Sequence, residues 1–266
     1  MECSTRSVTT WVPGVVSATF KKTSLTVDDI LALMKECGLR TVEWSENVHV
    51  FPSDLTGAEL LGRKTRDAGF SVAAYGSYYR IAGREHVDAD FAESLAAANA
   101  LGAPVIRIWA GEKPSAEVSE EEVYRMAREA DEAADMAAAQ NIKVAFEWHK
   151  NTLTDTNESA AKLMSFANND NLYCLWQPTV ALSPRERVEG IQMMQKRLLN
   201  FHVYSWPDGK RGPLNEAEWY LYFSAAEQMG GTHAAMLEFV KDDAVEQFRQ
   251  DAGRLLHVLE SGEWNG

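Results

Sequence analysis

Two hydrophobic rhythms alternate along this chain. Stretches with apolar residues at helical spacing end in Gly or Asn, and short continuous apolar runs follow them. The first pair is DDILALMKECG and LRTVEW, with Thr26 placed to cap the helix and Gly38 to close it. ELLGRKTRDAG with FSVAAYG closes at Gly69, and DFAESLAAANALG with APVIRIWAG closes at Gly102. The long helix SEEEVYRMAREADEAADMAAAQN opens on a capping box, Ser119 with Glu122, and stops at Asn141 before IKVAFEW. ESAAKLMSFANNDN leads to LYCLWQP, and SPRERVEGIQMMQKR leads to LLNFHVYSW, with Ser183 as N-cap, Pro184 at the first helical position and Glu186 three residues after the cap. EAEWYLYFSAAEQMGG with THAAMLEFV ends the series.

An opening strand near Gly14–Phe20 and a closing helix from Ala244 to Leu259 complete eight strands, each followed by a helix. The crossovers are long enough for parallel pairing. No strand runs into GxGxxG or a GxxxxGKS/T loop, so the phosphate loops of open doubly wound sheets are missing. Eight regular units predict a closed (β/α)8 TIM barrel, α/β in class, as a single domain over residues 1–266.

Composition narrows the function classes. The 266 residues are 45% hydrophobic and 24% charged, enough to bury a large core. Acidic residues outnumber basic ones, 39 to 26, and no Lys or Arg run is present, which speaks against a nucleic-acid partner. Cys3, Cys37 and Cys174 are too few and too scattered for a disulfide framework or a thiolate zinc site. The first residues hold no signal-like apolar stretch, and no segment approaches the ~18 apolar residues of a membrane span. A cytoplasmic protein with no membrane partner is the expectation, and a homo-oligomer is compatible with it.

The chemistry concentrates at strand ends. Ile142 to Thr156, IKVAFEWHKNTLTDT, starts as a buried strand and then delivers Glu147, Trp148, His149 and Lys150. Strand alternation puts Ala145, Glu147 and His149 on one side and Val144, Phe146 and Trp148 on the other. For one strand alone, running out into solvent explains this equally well. Other strands repeat it, however: Glu43, Arg107, Gln177, His202 and Glu238 also stand within or at the end of apolar runs. Buried charges need partners or a metal, and the active end of such a barrel is the C-terminal end of its strands. Glu147, Gln177, His202 and Glu238 lie on four consecutive strands. Two carboxylates, an amide oxygen and an imidazole suit one divalent ion such as Mn²⁺, Mg²⁺ or Co²⁺. Gln177 is the weakest of the four as a ligand, and its alternative is a hydrogen-bonding residue beside three protein ligands.

IRIWAG, FEWHKNTLTDT, WQP, FHVYSW and LEFVKDD together resemble the xylose-isomerase-like TIM-barrel family of sugar isomerases and epimerases. That group takes in ketose 3-epimerases, inosose dehydratases and hydroxypyruvate isomerases, and the resemblance covers nearly the whole chain. It implies one divalent cation held by Glu, Asp, His and Glu on strands five to eight. Glu147, His202 and Glu238 match, and Gln177 stands where the family usually has Asp. The resemblance also implies that Glu147 and Glu238 act as base and acid on opposite sides of a sugar carbon, beside a carbonyl. The expected reaction is isomerisation or epimerisation of a small sugar or keto sugar. Dehydration or lyase chemistry is the alternative with the same groups, and a sugar-binding barrel without catalysis is a third, prompted by Gln177.

Arg107 and His149 are candidates for substrate oxygens, although Arg107 is equally suited to pair with Glu43 or Glu147. Trp109, Tyr75 and Trp206 are candidates to stack on a sugar ring. Lys241 is a candidate substrate contact or an exposed loop charge. WPDGKRGPLNEAEW, with Lys210 and Arg211, reads as a loop over the mouth able to bind an anionic group. Thr152 to Ser159 reads mostly as a helix N-terminus. A DNA-repair endonuclease of the same fold requires a His-rich multi-metal cluster; only His49, His149 and His202 of the six histidines lie near strand ends.

Overall fold

Small interior side chains let the sheet close on itself. In this computed structural model, which describes residues 9–261, the strands are β1 (Thr9–Val16), β2 (Thr41–Ser45), β3 (Ser71–Arg80), β4 (Val105–Trp109), β5 (Lys143–Glu147), β6 (Leu172–Trp176), β7 (Leu198–Val203) and β8 (Gly231–Leu237). Each pairs in parallel with its sequence neighbours, and β8 closes on β1. Inside sit Val16, Ala73, Ala74, Val105, Ala145, Leu175, Leu199, Ala234 and Met236. The opposite parity of each strand, for example Val144, Phe146 and Trp148, packs outward against the helices.

The helices around the barrel are α1 (Val27–Glu36), α2 (Leu55–Asp67), α3 (Ala89–Leu101), α4 (Glu120–Ala138), α5 (Asn157–Phe166), α6 (Pro184–Met194), α7 (Glu216–Ala225) and α8 (Val245–Glu260). Capping boxes form at Thr26 with Asp29, Ser119 with Glu122 and Ser183 with Glu186. Gly102 closes α3 in the left-handed region at φ 76°, and Asn141 turns the chain after α4 at φ 58°. Among the described residues, no helix is long and apolar enough to cross a membrane. Cys3 lies outside the described residues; Cys37 and Cys174 are free.

The opening strand departs from the sequence reading. It begins at Thr9 and ends at Val16, and Ser17–Phe20 forms a 3₁₀ turn instead of extending it. The cause is a pair of serines: the Ser45 N–H donates to Ser17 Oγ at 2.8 Å, and the Ala18 N–H donates to Ser45 Oγ at 3.1 Å. This exchange takes the place of ladder bonds and folds the chain over the mouth, which brings Lys21 to the rim of the central cavity.

One glycine is required by close approach. A Cβ on Gly76 of β3 would lie 2.5 Å from Glu43 Oε1 and 2.9 Å from Arg107 Nη2. Replacing it with Ala must push apart a fully buried ion pair. Gly76→Ala is therefore expected to lower stability by about 1–3 kcal/mol, the usual cost of overpacking. Urea denaturation of the variant beside the parent protein measures it.

Candidate active site

The end of β5 is held in place by its own following loop. Thr154 Oγ1 donates to the Glu147 carbonyl at 2.7 Å and accepts from the His149 N–H at 3.1 Å, while Thr152 Oγ1 donates to the His149 carbonyl at 2.7 Å. The threonines thus fasten the strand end, and only Thr156 of this stretch caps α5, accepting from the Ser159 N–H. Asp155 accepts from the Ser115 N–H on another loop. The expectation that this segment serves mainly as a helix N-terminus is corrected accordingly.

From that fixed end, Glu147 turns inward to meet β7 and β8. Glu147 Oε1 lies 3.3 Å and Glu238 Oε2 3.4 Å from His202 Nδ1. Candidate ligand atoms of these three buried residues all fall within 4.8 Å of one another. The other imidazole nitrogen, His202 Nε2, lies 3.1 Å from Glu43 Oε2. Arg107 completes the network: Nη2 is 3.3 Å from Glu43 Oε1, Nη1 is 3.2 Å from Glu147 Oε2, and Nη1 also donates to the Ser77 carbonyl at 2.8 Å. The Trp109 indole N–H donates to Glu147 Oε2 as well.

Burial alone would raise the carboxyl pKa values and lower that of the imidazole. Partners reverse all three. For Glu43 the nearby His202 and Arg107 outweigh burial and hold the carboxyl below its ordinary range. For Glu147, Arg107 first and His202 next do the same, more strongly. For His202, burial is overcome by the charges of Glu43 and Glu238, which hold its pKa well above the ordinary histidine value.

The donor set fits a divalent cation. His202 Nδ1 lies between the Glu147 and Glu238 carboxylates, and the buried Gln177 Oε1 has no hydrogen-bond partner. The Gln177 amide nitrogen donates to the Trp148 carbonyl at 2.6 Å, which fixes the amide's orientation, and the residue lines the same cavity as Glu147 and Glu238. An unpartnered amide oxygen, an imidazole nitrogen and two carboxylates make a set that a metal would satisfy. Glu43 behind His202 supplies the carboxylate–histidine pairing that sets tautomer and ring orientation in metal sites.

The cavity, about 260 Å³, is lined by Arg107, Trp109, Glu147, His149, Gln177 and Glu238 among others. Arg107 takes the carboxylate-pairing alternative, with Glu43 and Glu147, and also lines the cavity. Trp206 lines it too, and His149 packs beside Trp109 at 5.4 Å between ring centroids. Three candidates fall elsewhere. Tyr75 is fully buried on the helix-facing side of β3 and donates to Glu46 Oε2 at 2.9 Å, so no sugar can stack on it. Arg211 does not itself line the cavity: it is paired with Asp243 and lies over the ring of the lining residue Phe239 at 4.4 Å. Lys241 is exposed in a 3₁₀ turn after β8 and does not line the cavity. Lining residues that sequence reasoning passed over include Lys21, Tyr78, Thr179 and Tyr204. For all four the strand-end pattern carries no distinguishing signal.

The His202 shift has a measurable consequence. Without a cation the neighbouring carboxylates favour the protonated imidazole beyond its ordinary range, and a cation must displace that proton. The apparent association constant for Mn²⁺ is expected to rise by up to about tenfold per pH unit until the His202 pKa is passed, then level off. Glu43→Gln removes one charge that raises that pKa and moves the plateau to lower pH. Calorimetric titration with Mn²⁺ across pH 5.5–9 checks both.

A family model described as "Xylose isomerase-like TIM barrel" matches residues 31–256. No curated protein matches the chain by sequence. Among solved structures, the probable 3-DHS dehydratase AsbF of Bacillus anthracis aligns with a TM-score of 0.76 at 18% identity, covering 92% of this chain and 98% of that one. An L-ribulose 3-epimerase aligns at 0.72 and 14% identity over 95% of both chains. The IOLI protein with a bound zinc atom aligns at 0.72 and 14% identity, over 94% of this chain and 98% of that one. At such identities the structural likenesses speak to fold, while the match over residues 31–256 covers most of the sequence. The chain belongs to the xylose isomerase-like TIM-barrel family.

Proposed function

We propose that this protein is a divalent-metal-dependent enzyme that moves a proton beside the carbonyl of a small sugar or sugar derivative, as an isomerase or epimerase. The observation that carries the proposal is the convergence of Glu147, His202 and Glu238, with Glu147, Glu238 and Gln177, whose buried oxygen has no partner, lining one cavity. The epimerase and the zinc-binding protein that share the fold support the reading. A cation such as Mn²⁺, Mg²⁺ or Co²⁺, held by Glu147, Gln177, His202 and Glu238, would acidify the C–H next to a carbonyl and stabilise the negative charge that develops on its oxygen.

The chain's own groups divide the remaining work. Glu238 and Glu147 reach the cavity from different strands and are the candidate base and acid. His149, half-buried at the rim with Nδ1 2.6 Å from the Lys150 carbonyl, keeps Nε2 for a substrate hydroxyl. Trp109 and Trp206 offer apolar faces for a sugar's C–H surface.

One observation favours elimination as a second reading. Both Arg107 and Trp109 engage Glu147 Oε2, and Oε1 faces His202. Among the described residues, the only ion pair of Glu238 is with His202. Glu238 thus has fewer partners than Glu147, and a single carboxylate with a free oxygen suits removal of a proton followed by its return to a departing hydroxyl. The dehydratase that shares the fold is consistent with this.

Incubation of the Mn²⁺-loaded protein with ketoses in deuterated water tests both readings. Deuterium gained at the carbon beside the carbonyl, with the sugar's composition otherwise intact, is the expected result, and loss of water selects elimination. Glu238→Gln is expected to slow either outcome by roughly 10²–10⁴-fold, the usual share of a general base. Neither exchange nor loss of water from any ketose, with Mn²⁺ shown to be bound, sinks both.

A further inference from the structure

The charge left over in the cavity identifies a class of substrate. Three fixed cations line it, Lys21, Arg107 and Lys150, against two carboxylates, Glu147 and Glu238. Arg107 is already bridged to Glu43 and Glu147. Glu147 and Glu238 both face His202 in the donor cluster, where a divalent cation would take up their charge. That leaves Lys21 and Lys150. Neither makes an ion pair among the described residues, although Lys21 lies 5.3 Å over the Phe239 ring. Their neighbours behave differently: Lys22 and Arg211, which do not line the cavity, are both paired with Asp243.

We infer that the substrate carries an anionic group, a carboxylate or a phosphate, that is held by Lys21 and Lys150 at the rim of this cavity. The inference rests on the reading of the cavity as a metal-dependent sugar site and adds what kind of sugar derivative enters it. In a chain with 39 acidic and 26 basic residues, two unpaired ammonium groups facing a cavity are an unbalanced charge that an anionic ligand would neutralise. A neutral sugar gains little from them, because covering a strongly hydrated ammonium without a counter-charge costs more than a neutral hydroxyl returns. Gln177 bears on the same balance. An acidic residue there would have given the site a third negative charge next to the lysines, whereas the amide adds none. The anion is therefore left for the substrate to supply.

The two lysines arrive from opposite sides of the mouth by unrelated local causes. Lys21 follows the 3₁₀ turn pinned by the Ser17–Ser45 exchange, and Lys150 follows β5 in the loop fastened by Thr152 and Thr154. Both side chains are exposed, so replacing them leaves the core intact.

D-Fructose, D-fructuronate and D-fructose 6-phosphate share a ketose end and differ only at C6, as hydroxyl, carboxylate and phosphate. Calorimetry on the Mn²⁺-loaded full chain is expected to show at least one of the two anions binding roughly tenfold or more tighter than fructose, about the worth of one charge-assisted hydrogen bond. Which anion wins distinguishes carboxylate from phosphate. The advantage is expected to shrink with added salt and to vanish in the Lys21→Ala, Lys150→Ala double variant, whose melting temperature verifies that it is folded. Equal binding of all three sugars, binding of neither anion, or an advantage that survives in the double variant overturns the inference; the last result means that the anion chelates the metal. Mn²⁺ titration of the same samples separates the two levels. Failure to bind Mn²⁺ defeats the metal-dependent reading, whereas tight Mn²⁺ binding without an anion preference defeats only the substrate class.

Discussion

Four ionisable groups share the axis of this barrel almost out of reach of water: Glu43, Arg107, Glu147 and His202. Moving any one of them from water costs several kcal/mol unless partners compensate. Each therefore has at least two: Arg107 spans Glu43 and Glu147 on one side, and His202 spans the same two carboxylates on the other and meets Glu238 as well. The closed ring dictates much around it. It needs the vacancy at Gly76, the small interior side chains below it, and strand ends that hold register to within a hydrogen bond. A hydrophobic layer of the same volume would be as stable or more so. The ring is better understood as a device for orientation, fixing the Glu147 carboxylate and the His202 ring where the cavity begins.

Much of this was legible because parallel barrels write their interior in a simple code. Alternation about Ala145 places Glu147 inward, and the same parity from Thr41 places Glu43 inward. The succession Glu147, Gln177, His202, Glu238 on adjacent strands needs only the element order, which capping boxes and closing glycines mark clearly. What the sequence does not carry is the pairing across strands. Whether Arg107 meets the substrate or the carboxylates depends on guanidinium reach and on a register shift between β3 and β4, neither of which has a sequence signature.

The misplacements have equally physical causes. Tyr75 stood next to an apparent strand end and was grouped with the cavity aromatics, yet β3 continues to Arg80 and its parity sends Tyr75 outward to Glu46. Ala74 and Gly76, its neighbours, mark the inward positions by their small size. Arg211 and Lys241 were judged by their position in mouth loops, where charge alone says nothing about direction; Asp243 captures the first, and a tight turn carries the second into solvent. The end of β1 failed for another reason. Side-chain hydroxyls of Ser17 and Ser45 substitute for ladder partners, so an apolar run that looks like strand turns early.

The two glutamates at the mouth are unequal, and the inequality reaches back to the buried ring. Glu147 shares one oxygen between Arg107 and Trp109 and turns the other to His202, so orientation comes at the expense of basicity. Glu238, from the last strand, pairs only with His202 among the described residues and is not tied into the Arg107 bridge. The two carboxylates are therefore not equivalent: one is bridged on both oxygens, and the other is held at one point. Gln177 extends the asymmetry, since it adds an oxygen without adding charge and keeps its amide locked to the Trp148 carbonyl. The unpaired ammonium groups of Lys150 after β5 and Lys21 after β1 flank this cluster at the cavity wall.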